Sequence, residues 1–139
     1  MNMSTAIFWP IIAQATLTYV IYYILGKRRF GAVREGAAKP SDYTIPHQDP
    51  AASATAARSL INQFELPVLF YVVALCLHLT NGVNYVVLLL AWAFVISRGV
   101  HAFVHVTSNR LMRRQRLFMV GFFLNAALWI WLIIHLLSA

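Results

Sequence analysis

Three stretches of this chain contain no Lys, Arg, Asp or Glu: residues 6–26, 66–97 and 117–139. An α-helix needs about 20 consecutive apolar residues to cross the roughly 30 Å hydrocarbon core of a bilayer. The first and last stretches each suffice for one crossing. The middle one is too long for one, and Thr80-Asn81-Gly82-Val83-Asn84 divides it with a turn signal. The pattern predicts four membrane-spanning helices at about 6–27, 50–80, 84–108 and 111–137, forming one domain across residues 1–139. The expected fold class is all-α, an integral membrane four-helix bundle.

Charge then sets the expected orientation. Of the 15 charged residues, nine are Lys or Arg in two connections: Lys27, Arg28, Arg29, Arg34 and Lys39 in the first, and Arg110, Arg113, Arg114 and Arg116 around the third. The second connection and both ends have none. Basic loops stay on the cytoplasmic side, so both termini are expected to be non-cytoplasmic. The net charge of +7 reads as a topology signal that also attracts anionic headgroups. It does not read as nucleic-acid binding, since no basic face lies on a soluble module. The basic cluster follows the first apolar run instead of preceding it, unlike a secretory signal. The sole cysteine, Cys76, lies in an apolar segment and reads as a small buried hydrophobe. A multi-pass protein of a bacterial inner membrane or an endomembrane fits this pattern.

Local signals refine the segments. Asp49-Pro50 reads as an N-cap followed by a first-turn proline. Pro67 removes one backbone bond inside the second segment and is expected to bend it. Residues 30–49 read as a loop of about 20 residues, long for a compact domain. Asn109 stands where it can cap the fourth helix.

Polar residues in the apolar segments are the candidates for function. Glu65 and Arg98 lie inside or against apolar segments, where a charge costs roughly 2.5–3.5 kcal/mol at a helix centre. Each is a candidate partner of the other. On the second segment Arg58, Asn62 and Glu65 are spaced by four and three residues, within about 60° of helical arc. On the third, Arg98, His101 and His105 share a similar stripe. Glu65 lies about 10 Å beyond Arg58 along the axis and Arg98 about 10 Å before His105, so the depths match. With Arg114 opening the fourth segment nearby, these residues outline a polar cleft open to the cytoplasm. The bland reading is a buried ion pair locking two helices. It accounts for Glu65 and Arg98 but leaves Arg58, Asn62, His101, His105 and Arg114 unexplained. Surplus positive charge suits an anionic ligand with several carboxylates. Histidines four apart are a spacing metals use, but the absence of a nearby cysteine and the arginines on the same face argue against a metal. His78 and His135 read as interfacial, and Asn125 as a polar contact between helices.

The pattern Arg58-x-x-x-Asn62-x-x-Glu65, then Arg98-x-x-His101-x-x-x-His105, then an Arg-rich turn into Arg114 and Gly121 resembles the MAPEG family, the membrane-associated proteins in eicosanoid and glutathione metabolism. The resemblance covers the whole chain loosely and residues 58–121 specifically. It implies a homotrimer that binds glutathione at subunit interfaces near the cytoplasmic side. Arg58, Asn62, Glu65, Arg98 and His101 would then form the glutathione-binding set, and Arg114 would match the arginine that stabilises the glutathione thiolate. The better-known members have a tyrosine at the position of His105. Pro67 also follows Glu65 more closely than in the eicosanoid enzymes.

The resemblance implies a glutathione-dependent transferase or peroxidase, with glutathione as co-substrate, acting on an apolar or lipid-derived partner from the bilayer. Arg114 and His105 are its expected catalytic residues. A non-enzymatic lipid- or ligand-binding scaffold of the same fold is the competing expectation. Small four-helix multidrug transporters are similar in length, but they have a carboxylate in the first helix, where this chain has no charge.

Overall fold

The computed structural model describes residues 3–45 and 48–138. Among them the regular structure is all helical. A short helix α1 (Met3–Ala6) leads into α2 (Phe8–Arg34). A 3-10 turn follows at Pro40–Tyr43, then α3 (Ala51–Ile61), α4 (Leu66–Leu79), α5 (Tyr85–Val106) and α6 (Leu111–Ser138). With α3 and α4 taken together, four helical segments are long and apolar enough to cross a membrane: Ser4–Arg34, Ala51–Leu79, Tyr85–Val106 and Leu111–Ser138.

Three boundaries differ from the sequence expectation. The first long helix continues past the apolar run to Arg34, because Lys and Arg end hydrophobicity without ending helix propensity. The second expected helix is two. It stops at Ile61 and restarts at Leu66, since Pro67 has no N–H for the carbonyl four residues back and disfavours helical backbone just before it. Asp49 is not an N-cap. Pro50 occupies that position without a side-chain cap, and the Asp49 carboxylate accepts hydrogen bonds from Arg29 and from the Ser53 hydroxyl instead.

That carboxylate clips the first connection to the bundle. Arg29 donates to it through Nε at 2.8 Å and Nη2 at 2.6 Å, while its guanidinium lies 5.3 Å from the centre of the Tyr43 ring. The Arg29 hydrogen bond is the main reason that the Asp49 carboxyl lies below its ordinary value, with Ser53 adding to it. A lowered carboxyl contributes stability above its unfolded value, about 3.9, and loses it as pH falls through the lower folded value. The connection is expected to remain clipped at neutral pH and to become more open to protease only under acid conditions below about pH 4. Asp49→Asn should open it at all pH values, as limited proteolysis between Glu35 and Asp49 would show.

The apolar core is concentrated away from this end. Phe70 and Phe94, both fully buried, stack at 4.5 Å between ring centres, with Val73, Leu77, Val87, Ala91, Leu128 and Leu132 around them. In the α4–α5 turn Asn81 has φ 57°, a conformation that Asn tolerates better than most residues. The Asn84 side chain caps α5 by accepting from the Val87 N–H at 3.0 Å. His135 Nε2 lies 2.9 Å from the Thr80 carbonyl, and His78 Nδ1 lies 2.9 Å from the Ser4 hydroxyl. Both histidines thus fasten helix ends. At the opposite end, two Arg28 hydrogen bonds, to the Thr55 hydroxyl and the Val106 carbonyl, join the ends of α2 and α5 to the start of α3. The basic connections share this end with the polar residues.

Candidate functional site

A cavity of about 470 Å³ opens among α3, the break after it, α5 and the start of α6. Arg58, Asn62, Glu65, His101, His105 and Arg114 give it a polar wall, while Ile61, Leu111 and Phe118 give it an apolar one. Six of the seven site residues expected from spacing therefore line one cleft. Gln115 and Phe118, which also line it, were not singled out from the sequence. A signal was available for Phe118, four residues after Arg114 and on the same face of α6, but not for Gln115, which follows it by one.

Arg98 is placed differently. It is fully buried and does not line the cleft. Its Nη2 donates to the Asn62 carbonyl at 3.2 Å, and its guanidinium stands 5.7 Å from the centre of the Phe118 ring. Nε and Nη1 have no hydrogen-bond partner among the described residues, nor does Nδ1 of buried His101. Close helix contact covers Arg98: a Cβ at Gly121 would lie 3.2 Å from Ser97 Oγ and 3.3 Å from Arg98 Cδ. The expected ion pair with Glu65 is not made. Glu65 is exposed at the start of α4, and the ion pair found among the described residues is Arg29–Asp49. Equal depth brought Glu65 and Arg98 to the same level, but the broken helix offers Arg98 a free carbonyl instead.

His105 and Arg114 form a coupled unit. Arg114 Nη1 donates to Asn109 Oδ1 at 2.8 Å and lies 3.1 Å from His105 Nε2. The His105 Nδ1 lies 3.3 Å from the Asn62 side-chain amide. A guanidinium only donates, so His105 engages Arg114 only as a neutral ring with a bare Nε2. The ring proton then sits on Nδ1, and the Asn62 amide must turn its oxygen toward it. Asn109, expected to cap α6, instead uses its side chain to hold Arg114, from a backbone with φ 44°.

The arrangement is a multi-helix membrane bundle with an electropositive cleft at one end. Arginines on two helices face a single carboxylate, beside an apolar wall. The chain belongs to the MAPEG family, whose model matches residues 7–134. Its four apolar helices and this membership make it an integral, multi-pass membrane protein of a family tied to glutathione and eicosanoid metabolism. Comparison with curated proteins and with solved structures gives no match.

Proposed function

We propose that this protein is a membrane-bound glutathione-dependent transferase or peroxidase. The observation that carries the reading is the charge pattern of the cleft: Arg58 and Arg114 against Glu65, with Asn62, His101 and Gln115 between them. Glutathione presents two carboxylates, one ammonium and one thiol. Arg58 suits a carboxylate as a forked donor, and Glu65 suits the ammonium. Asn62 and His101 add hydrogen bonds, and Arg98 supports Asn62 from beneath through its carbonyl. The thiol is directed to Arg114, where the guanidinium stabilises the thiolate left when the proton departs to solvent. The thiolate sulfur then forms a bond to an electrophilic carbon as the leaving group departs with its electron pair. With a lipid hydroperoxide it attacks the distal oxygen instead, releasing the alcohol and leaving a glutathione sulfenic acid for a second thiol to reduce. Ile61, Leu111 and Phe118 provide the wall against which an apolar partner from the bilayer would lie. We place both termini on the non-cytoplasmic side and the protein in a homotrimer, on the basis of the basic connections and the family.

The test is glutathione binding by purified protein in detergent. A ligand at ten times its Kd stabilises the native state by about 1.4 kcal/mol, which raises Tm by a few degrees. Millimolar glutathione is expected to raise Tm, and Arg58→Ala to abolish most of the rise. No change in melting and no binding would overturn the enzyme reading and leave a non-enzymatic lipid- or ligand-binding scaffold.

A further inference from the structure

The second membrane span is interrupted where it walls the cleft, and the interruption is held from two sides. After Ile61 the Gln63 N–H bonds the Leu60 carbonyl at 2.9 Å and the Phe64 N–H bonds the Ile61 carbonyl at 2.9 Å, three residues back instead of four. Four carbonyls, those of Ser59, Asn62, Gln63 and Phe64, are without their helical partners, Phe64 because the Val68 N–H bonds the Glu65 carbonyl instead. Asn62 would have given its carbonyl to Leu66 and now gives it to Arg98 Nη2. Gln63 would have given its carbonyl to residue 67, a proline without an N–H. Ser59 would have given its carbonyl to the Gln63 N–H and instead accepts from the Gln63 side chain, Nε2, at 3.3 Å. The Gln63 side chain thus replaces its own backbone donor. Its Oε1 in turn accepts from Gln14 Nε2 of α2 at 3.0 Å. Both glutamines are essentially buried, at 0% and 2% exposure. Gln14 Oε1 has no hydrogen-bond partner among the described residues, so the Nε2 contact is the polar bond that ties α2 to the break, and losing it would leave further buried polar groups unpaired.

We infer that Gln14 and Gln63 are positioning residues for the cleft: their buried amide contact fixes the break between α3 and α4 and with it the placement of Glu65 relative to Arg58 and Asn62. Arg58 and Ile61 stand on α3, Asn62 at its C-cap and Glu65 at the N-cap of α4, so the break itself separates them along the cleft wall. The angle between the two helical pieces therefore sets the spacing of the groups that would meet the ligand. Arg98 of α5 acts on the backbone of the break through the Asn62 carbonyl, and Gln14 acts on the Gln63 side chain from α2. This inference rests on the proposed glutathione site for its kinetic consequence, but not for its geometric one.

A purely structural amide pair would act as interhelical glue and nothing more. The two roles separate in the double variant Gln14→Leu with Gln63→Leu, because replacing both partners with apolar groups of similar size restores much of the stability lost on replacing one. Tm is expected to return close to the parent's. The KM for glutathione is expected to stay about tenfold higher, with kcat within about twofold, since Arg114 is untouched. The distance between spin labels at Ala52 and Val72, measured in a Cys76→Ala background with labelled subunits diluted into unlabelled ones, is expected to broaden from one narrow population to several. A parental KM with a parental Tm overturns the inference, and so does an unchanged narrow distance. If the parent binds no glutathione, the proposed function fails while the distance measurement still decides the inference. Should the double variant not fold, Gln14→Asn, which keeps the amide but shortens its reach, takes its place with the same readings.

Discussion

Arg114→Ala is expected to cut the thiolate population of bound glutathione at pH 7 about twenty-five-fold while weakening glutathione affinity only about fourfold, the amount that a two-unit thiol shift couples to binding at that pH. A free thiol of pKa about 8.5 is only about 3% ionised at pH 7. A shift of two units, costing about 2.7 kcal/mol, brings that to about three quarters. One guanidinium at about 4 Å supplies about 4 kcal/mol at an effective dielectric near 20, enough for the whole shift. Arg114 is well placed to supply it, because Nη1 is held by Asn109 and His105, and its other N–H groups make no hydrogen bond among the described residues. The loss has a pH signature. Without the guanidinium the bound thiol ionises near its ordinary value, so the variant approaches the parent as pH rises through about 8.5. Thiolate absorbance in the ultraviolet, followed between neutral and alkaline pH, measures this directly. Equal absorbance in parent and variant at pH 7 would remove Arg114 from the chemistry while leaving the cleft as a binding site.

The bundle was legible because hydrophobicity and charge along the chain report directly on the bilayer. Charge-free runs gave the four spans, and the basic clusters marked the ends that share a side. The cleft was legible in part: helical period puts Arg58 and Asn62 on one stripe and His101 and His105 on another, whereas Glu65 reaches it from across the helix break and Arg98 lies beneath it. Azimuth between helices was not legible. Depth alone paired Glu65 with Arg98, yet Arg98 turns to the Asn62 carbonyl under the cleft floor. Pro67 signalled a bend, but the break it permits lies several residues upstream, where Gln63 repairs the lost backbone bond. Gln14 is one of several polar residues in the first apolar segment, and nothing local marks it, because its meaning depends on a partner 49 positions away. Asp49 illustrates competition between local and distant chemistry. Its capping signature was sound, but Arg29 offers the carboxylate two charged donors.

His105→Phe is expected to lower turnover about tenfold with little change in KM, because it removes one of the two acceptors that hold Arg114. The variant series separates two roles for the histidine. In the first, Nε2 serves as the acceptor for Arg114, and the ring acts by placing the guanidinium against the sulfur. The geometry favours this role, since the bare nitrogen faces Arg114 and the single ring proton faces Asn62, leaving no N–H for the thiolate. In the second, the residue at this position donates a hydrogen bond to sulfur, as the tyrosine found there in better-known family members would. His105→Gln keeps an acceptor able to hold Arg114, so placement predicts turnover within about threefold of the parent. His105→Tyr has a hydroxyl that accepts from Arg114 and still has a proton to offer the thiolate, so both roles predict activity there. The glutamine variant therefore decides. Activity near the parent's, with thiolate absorbance preserved, assigns His105 to holding Arg114. If glutamine is as poor as phenylalanine while tyrosine is fully active, hydrogen donation to sulfur is the function of this position, and the ring must turn away from Asn62 when glutathione binds.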